Sequence, residues 1–92
     1  MPDTPRTLSF TPIGWADFEW WLDQDRKVAK KVRSLIKECL RTPMQGTGKP
    51  EPLKHQTGLV VWSRRITEEH RLVYAIDSTR ITIVQARFHY DD

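Results

Sequence analysis

The segment Lys49-Pro50-Glu51-Pro52-Leu53-Lys54 sets one carboxylate between two prolines and two lysines. Pro50 has a fixed backbone angle, and Pro52 pushes Glu51 toward an extended conformation, so Glu51 cannot sit in a helix. A carboxylate on a stiff loop beside cations suits a general base aimed at an anionic substrate, and the same residues also describe a rigid surface turn. Farther along, Arg65, Glu69, Arg71 and Arg87 would bring three guanidiniums to one side of a sheet. Arg65 ends one expected strand and Arg71 begins the next. Like charges placed opposite each other are destabilising unless an anion or Glu69 lies between them. The set reads either as a phosphate clamp, because arginine presents a planar fork of donors, or as a solvated surface of salt bridges. His89-Tyr90 adds a titratable imidazole beside an aromatic ring, which serves either a site or the pinning of a last strand.

Other chemistries are excluded by spacing. Gly46-Thr47-Gly48-Lys49 lacks the spacing of a phosphate loop and opens no helix. His55, His70 and His89 have no metal-type spacing, and Cys39 is the single cysteine, which rules out an internal disulfide and a cysteine metal cage. Ser9, Ser34, Ser63 and Ser78 lie in no nucleophile elbow. What is left requires neither metal nor cofactor.

The elements that must position these groups follow from the pattern. Thr7-Leu8-Ser9-Phe10 alternates as a short strand, and Thr11-Pro12 reads as a helix cap followed by proline at the first helical position. Trp15, Phe18 and Leu22 give the first helix an apolar stripe, slightly weakened by Gly14. Asp25 caps a second helix with the stripe Val28, Val32, Leu35, Ile36 and Cys39, ending at Thr42-Pro43. After a loop rich in glycine and proline, residues 59–66, 69–76 and 80–88 read as three antiparallel strands, and Leu53–Gln56 as a further short one. The expected class is α+β: an N-terminal strand and a two-helix hairpin packed on a small, mainly antiparallel twisted sheet. Residues 1–6 read as a flexible N-terminal arm, and 7–92 as a single domain. Trp15 and Trp62 are expected in the core, and one of the adjacent Trp20 and Trp21 outside it.

The length of 92 residues supports one modest core and no second domain. The longest apolar runs, Leu59–Trp62 and Leu72–Ile76, are far too short to cross a bilayer, and the start shows no apolar segment of secretory type. A cytoplasmic protein is expected. Fifteen Lys and Arg against twelve Asp and Glu give a net charge of +3. Residues 26–41 concentrate cations: Arg26, Lys27, Lys30, Lys31, Arg33, Lys37 and Arg41 stand against Glu38 alone. Lys49, Lys54, Arg64, Arg65, Arg71 and Arg87 form an anion site if the fold converges them on one face.

Three blocks carry a resemblance. They are Arg41-Thr42-Pro43 with Gly46–His55, then Trp62-Ser63-Arg64-Arg65-Ile66-Thr67-Glu68-Glu69-His70-Arg71-Leu72-Val73-Tyr74, and the ending His89-Tyr90. From Thr7 to Tyr90 the chain closely resembles the YoeB-type toxins of the RelE/ParE superfamily. It departs from their pattern in placing Leu59-Val60-Val61 between Gly58 and Trp62, and in adding Asp91-Asp92 after His89-Tyr90. The resemblance implies a microbial-ribonuclease-like fold and a metal-independent endoribonuclease that cuts messenger RNA in the ribosomal A site. It also implies a YefM-type antitoxin as partner. Glu51 and His89 match the catalytic carboxylate and histidine, and Arg65 and Arg71 the phosphate-binding arginines. Lys54, Glu69 and Tyr90 match supporting positions.

RNA brings its own nucleophile, the 2′-hydroxyl, so the protein must supply a base, an acid and cations. Glu51 is assigned as base, His89 as acid, and Arg65 and Arg71 as clamps, with the first two labels exchangeable. Lys49, Lys54, Glu69, Arg87 and Tyr90 are assigned to RNA binding and support, Glu69 by orienting an arginine. Expected partners are the ribosome and messenger RNA, with no membrane. The toxin itself is expected as a homodimer or in a heteromeric antitoxin complex able to bind operator DNA. The alternatives are a non-catalytic RNA-binding sheet and a gyrase-directed toxin of the same superfamily, neither of which needs Glu51 together with His89.

Overall fold

A computed structural model describes residues 6–53 and 60–88. The elements run β1 (Thr7–Phe10), α1 (Pro12–Gln24), α2 (Arg26–Arg41), β2 (Glu51–Pro52), β3 (Val60–Arg65), β4 (Arg71–Ile76) and β5 (Arg80–Gln85). They form a five-stranded sheet in the order β1-β5-β4-β3-β2. The last four strands pair antiparallel, and β1 lies parallel to β5. This is the expected α+β order. Several bounds differ: a short strand before β3 falls at Glu51–Pro52, with Leu53 the one described residue of the expected Leu53–Gln56. Strand β3 ends at Arg65 rather than 66, β4 begins at Arg71 rather than 69, and β5 ends at Gln85 rather than 88. The Leu53 N–H still donates to the Val61 carbonyl at 2.8 Å, whereas residues 54–59, like the arm residues 1–5, lie outside the described residues.

Caps set both helices. The Thr11 side chain accepts from the Gly14 N–H with Pro12 in the first turn, and Asp25 accepts from the N–H groups of Lys27 and Val28. The expected stripe of α2 is the buried one, with Val32, Leu35, Ile36 and Cys39 in the core beside Ala29. Its seven cations are all exposed, so this basic run covers the outer face of the molecule.

Helix α1 is rotated from its expected setting. Trp15 is 47 % and Leu22 38 % exposed, while Gly14 and Trp21 are buried and Phe18 half-buried. The cause is Gly14. A Cβ there would lie 2.2 Å from the Ile83 carbonyl oxygen, so the helix meets β5 backbone to backbone and turns residues 14, 18 and 21 inward. Thr11 secures the approach, donating from its N–H to the Ile83 carbonyl at 2.9 Å and from its hydroxyl to the Val84 carbonyl at 2.8 Å. Trp15 instead stacks edge-on against Phe10 at the margin of the core. Of the adjacent tryptophans, Trp20 is the exposed one, at 36 %. Gly14→Ala is expected to cost about 1–3 kcal/mol, since a methyl group has no room without separating helix from strand. A urea midpoint equal to that of the wild type would show that the contact yields freely.

Candidate active site at the edge of the sheet

Alternation along β3 divides two adjacent arginines. Trp62 and Arg64 project toward the helices, and Val61, Ser63 and Arg65 toward the other face, shared with β2 and with alternate residues of β4. Glu51 lies opposite Ser63, and Arg65 opposite Arg71. Arg71 donates from Nε to the Ser63 hydroxyl at 2.9 Å and from Nη2 to Glu51 Oε1 at 3.1 Å. The Arg71 side chain is 16 % exposed and that of Glu51 61 %, so the Glu51 side chain is open to solvent while Arg71 is largely covered. The anion that relieves the Arg65–Arg71 repulsion is therefore Glu51. Glu69 is exposed and makes no ion pair among the described residues. Arg65 is exposed and also without an ion pair among them, leaving the cluster with a net positive charge that suits a phosphate.

The last described residues, 86–88, are brought beside this cluster. After β5, the Ala86 N–H donates to Asp17 Oδ2 at 2.9 Å, and Trp21 Nε1 donates to the Ala86 carbonyl at 2.7 Å. The Arg87 carbonyl accepts from the Gln85 side chain at 2.8 Å. The Phe88 carbonyl accepts from the Arg71 N–H at 3.1 Å, so the chain leaves Phe88 from a point bonded to the backbone of the residue that holds Glu51.

Arg64 does a different job from its neighbour. It is fully buried and contributes nothing to the anion face, contrary to the convergence expected for the cluster. Its Nη1 donates to Glu38 Oε1 at 2.9 Å and to the Thr47 carbonyl, and its Nη2 to the carbonyls of Thr42 and Gln45. Its Nε donates to the Tyr74 hydroxyl at 3.1 Å, which in turn donates to the Pro43 carbonyl at 2.6 Å. One guanidinium thus ties the end of α2 and the 42–47 loop to the sheet. Gly48 completes the link: its φ is +87°, its carbonyl accepts from the Arg65 N–H at 2.7 Å, and a Cβ would lie 2.9 Å from the Arg65 carbonyl oxygen. Glu51 starts from this anchored loop.

The ionisable groups of the hub follow their surroundings. The Thr47 N–H, helped by Arg64, outweighs burial and holds the Glu38 carboxyl below its usual 4.5. Stability from that carboxylate is complete above the usual value and is lost as pH falls through the lowered one. Burial pushes the Cys39 thiol up to about 11, which leaves it a small apolar core residue rather than a nucleophile.

The family profile described as "YoeB-like toxin of bacterial type II toxin-antitoxin system" matches residues 10–90. The chain belongs to the YoeB toxin family. It is 51 % identical over 83 residues to Toxin YoeB of Escherichia coli, covering 90 % of this chain and 98 % of the relative. The YoeB dimer from Staphylococcus aureus superposes with a TM-score of 0.84 at 36 % identity, over 95 % of this chain and all of that one. The toxin in the Staphylococcus aureus YoeB–YefM complex does so with a TM-score of 0.78 at 37 % identity, with the same coverage.

Within this YoeB-like fold, the structure brings Glu51, Arg65 and Arg71 together. Lys49 is exposed two residues before Glu51, in a left-handed backbone conformation with φ of +51°. Arg87 goes elsewhere: its guanidinium lies 3.7 Å from the centroid of the Trp20 ring and 4.6 Å from that of Phe88. Lys54, His89 and Tyr90 lie outside the described residues. Ser63, which supports Arg71, was missed in the sequence. The available signal was its period-2 spacing from Arg65, which puts both on one face. Asp17 and Trp21, which hold Ala86, left no local signal, because their partner is more than sixty positions away.

Proposed function

We propose that this YoeB-family toxin is a ribosome-dependent, metal-independent endoribonuclease that cuts messenger RNA in the ribosomal A site. The observation that carries the reading is the Glu51–Arg71–Ser63 arrangement beside Arg65: an accessible carboxylate held next to two guanidiniums, with the Phe88 carbonyl bonded to the backbone of the same Arg71. Glu51 removes the proton from the 2′-hydroxyl, whose oxygen attacks the adjacent phosphorus. His89 gives a proton to the departing 5′-oxygen, and Arg65 and Arg71 hold the charge of the phosphorane. Lys49, Lys54 and Tyr90 bind the strand and position its phosphate. The products are a 2′,3′-cyclic phosphate and a 5′-hydroxyl. The test is to incubate the protein with ribosomes programmed with messenger RNA, and to map both the cut and its end groups. Ends of the other polarity, or occupied ribosomes whose message stays whole, would overturn the nuclease. Inhibition of DNA supercoiling in their place would favour a gyrase-directed toxin.

The partner is an antitoxin of the YefM type, as in the Staphylococcus aureus complex, and the toxin alone pairs as a homodimer, as in the dimer from that organism. Cytoplasm, where both ribosome and antitoxin are met, is the expected location, and no described helix is long and apolar enough to cross a membrane. An acidic segment of the antitoxin is expected to cover Arg65 and Arg71 or to displace the His89-Tyr90 end. Because such charges are buried against carboxylates, affinity should fall with salt less steeply than for an exposed contact. A complex that leaves both arginines and the chain end free would contradict this.

A further inference from the structure

We propose that His70 is a positioning residue that sets the course of the chain end carrying His89. The β3–β4 turn fixes its backbone, since the His70 carbonyl accepts from the N–H groups of Ile66 at 2.9 Å and Thr67 at 3.2 Å. The ring stands edge-on to Trp21, 4.9 Å between centroids, and 5.6 Å from Phe88. Its Nδ1 then accepts from the Phe88 N–H at 2.8 Å, a bond that requires Nδ1 to carry no proton.

Phe88 needs this hold. Its φ is +62°, the left-handed region that a bulky side chain rarely adopts and that persists only where the surroundings over-determine it. The N–H is bonded to His70 Nδ1 and the carbonyl to the Arg71 N–H, so two consecutive residues of β3–β4 and β4 grip both polar groups of one strained residue. The left-handed setting of Phe88 fixes the direction in which the chain leaves that residue. Arg71 faces the substrate with its side chain and holds Phe88 with its backbone. His70 supplies the second point that fixes the direction. His70 touches no substrate; it acts through Phe88. Its catalytic consequence rests on the nuclease reading above, whereas the clamp itself does not.

The experiment separates these two. In the 15N-labelled wild type, a through-hydrogen-bond coupling between the Phe88 amide nitrogen and His70 Nδ1 is expected, and its absence would overturn the clamp. His70→Phe keeps the aromatic packing and loses the acceptor. His70→Asn places an oxygen where Nδ1 was. On programmed ribosomes, His70→Phe is expected to lower kcat by ~10–100-fold, the scale of a small misplacement of a reacting group. KM should stay within about twofold, since binding groups are untouched. His70→Asn should recover most of kcat, which a purely structural role for the ring would not allow. Loss of kcat in both variants alike, or in neither, would overturn the positioning role. A wild type that shows the coupling but never cleaves RNA would sink the nuclease and the catalytic half of the proposal together, and leave the clamp established.

Discussion

Glu51→Gln and His89→Gln are each expected to lower single-turnover cleavage by ~10²–10⁴-fold, the usual contribution of a positioned acid or base. Glutamine at residue 51 keeps the extended backbone between Pro50 and Pro52 and can still accept from Arg71, so position and packing survive. It cannot take a proton. The Glu51 side chain is 61 % exposed, and replacing it should leave the unfolding midpoint near that of the wild type. The measurement is cleavage by saturating toxin on programmed ribosomes, alongside thermal unfolding. A folded variant that cuts at the wild-type rate would remove its residue from the mechanism.

The next largest effect is on stability, and it falls on the neighbour of a site residue. Arg64→Met keeps an apolar stem and deletes the guanidinium, stranding the Glu38 carboxylate, three loop carbonyls and the Tyr74 hydroxyl. Breaking a buried ion pair from one side typically costs ~3–5 kcal/mol. A domain of this size has roughly 5–15 kcal/mol in all, so the melting temperature should fall on the order of 15–30 °C. Arg65→Met should have the opposite profile. That side chain is exposed and faces a like charge, so stability should change by less than about 0.5 kcal/mol while cleavage drops. Thermal melts and cleavage assays on the two variants check both halves. An Arg65 variant with a strongly lowered melting temperature beside a robust Arg64 variant would mean that the strand register is wrong.

Much of this architecture is local in origin and so was legible in the chain. Prolines, caps and apolar periods mark the elements and their order, because each is decided by residues within one or two turns of one another. The extended setting of Glu51 follows from Pro50 and Pro52. The pairing of Arg65 with Arg71 follows from the short turn that joins their strands.

Tertiary structure decided the rest. Whether Arg64 or Arg65 faces the helices depends on strand register, and a slip of one residue would exchange their faces. Nothing in a run of two arginines says which is buried. The setting of α1 came from Gly14 meeting the Ile83 carbonyl, a contact that overrides the helix's own apolar stripe. Charge alone would let Glu69 or Glu51 serve Arg71, and the pairing of β2 with β3 chose Glu51. Ala86 and Phe88, too, are held from far away in sequence, by Asp17, Trp21 and His70. Residue types and local spacing determined which elements form and which chemistry is on offer. Which groups meet was set only when the sheet closed, because those contacts join distant positions whose directions no local period encodes.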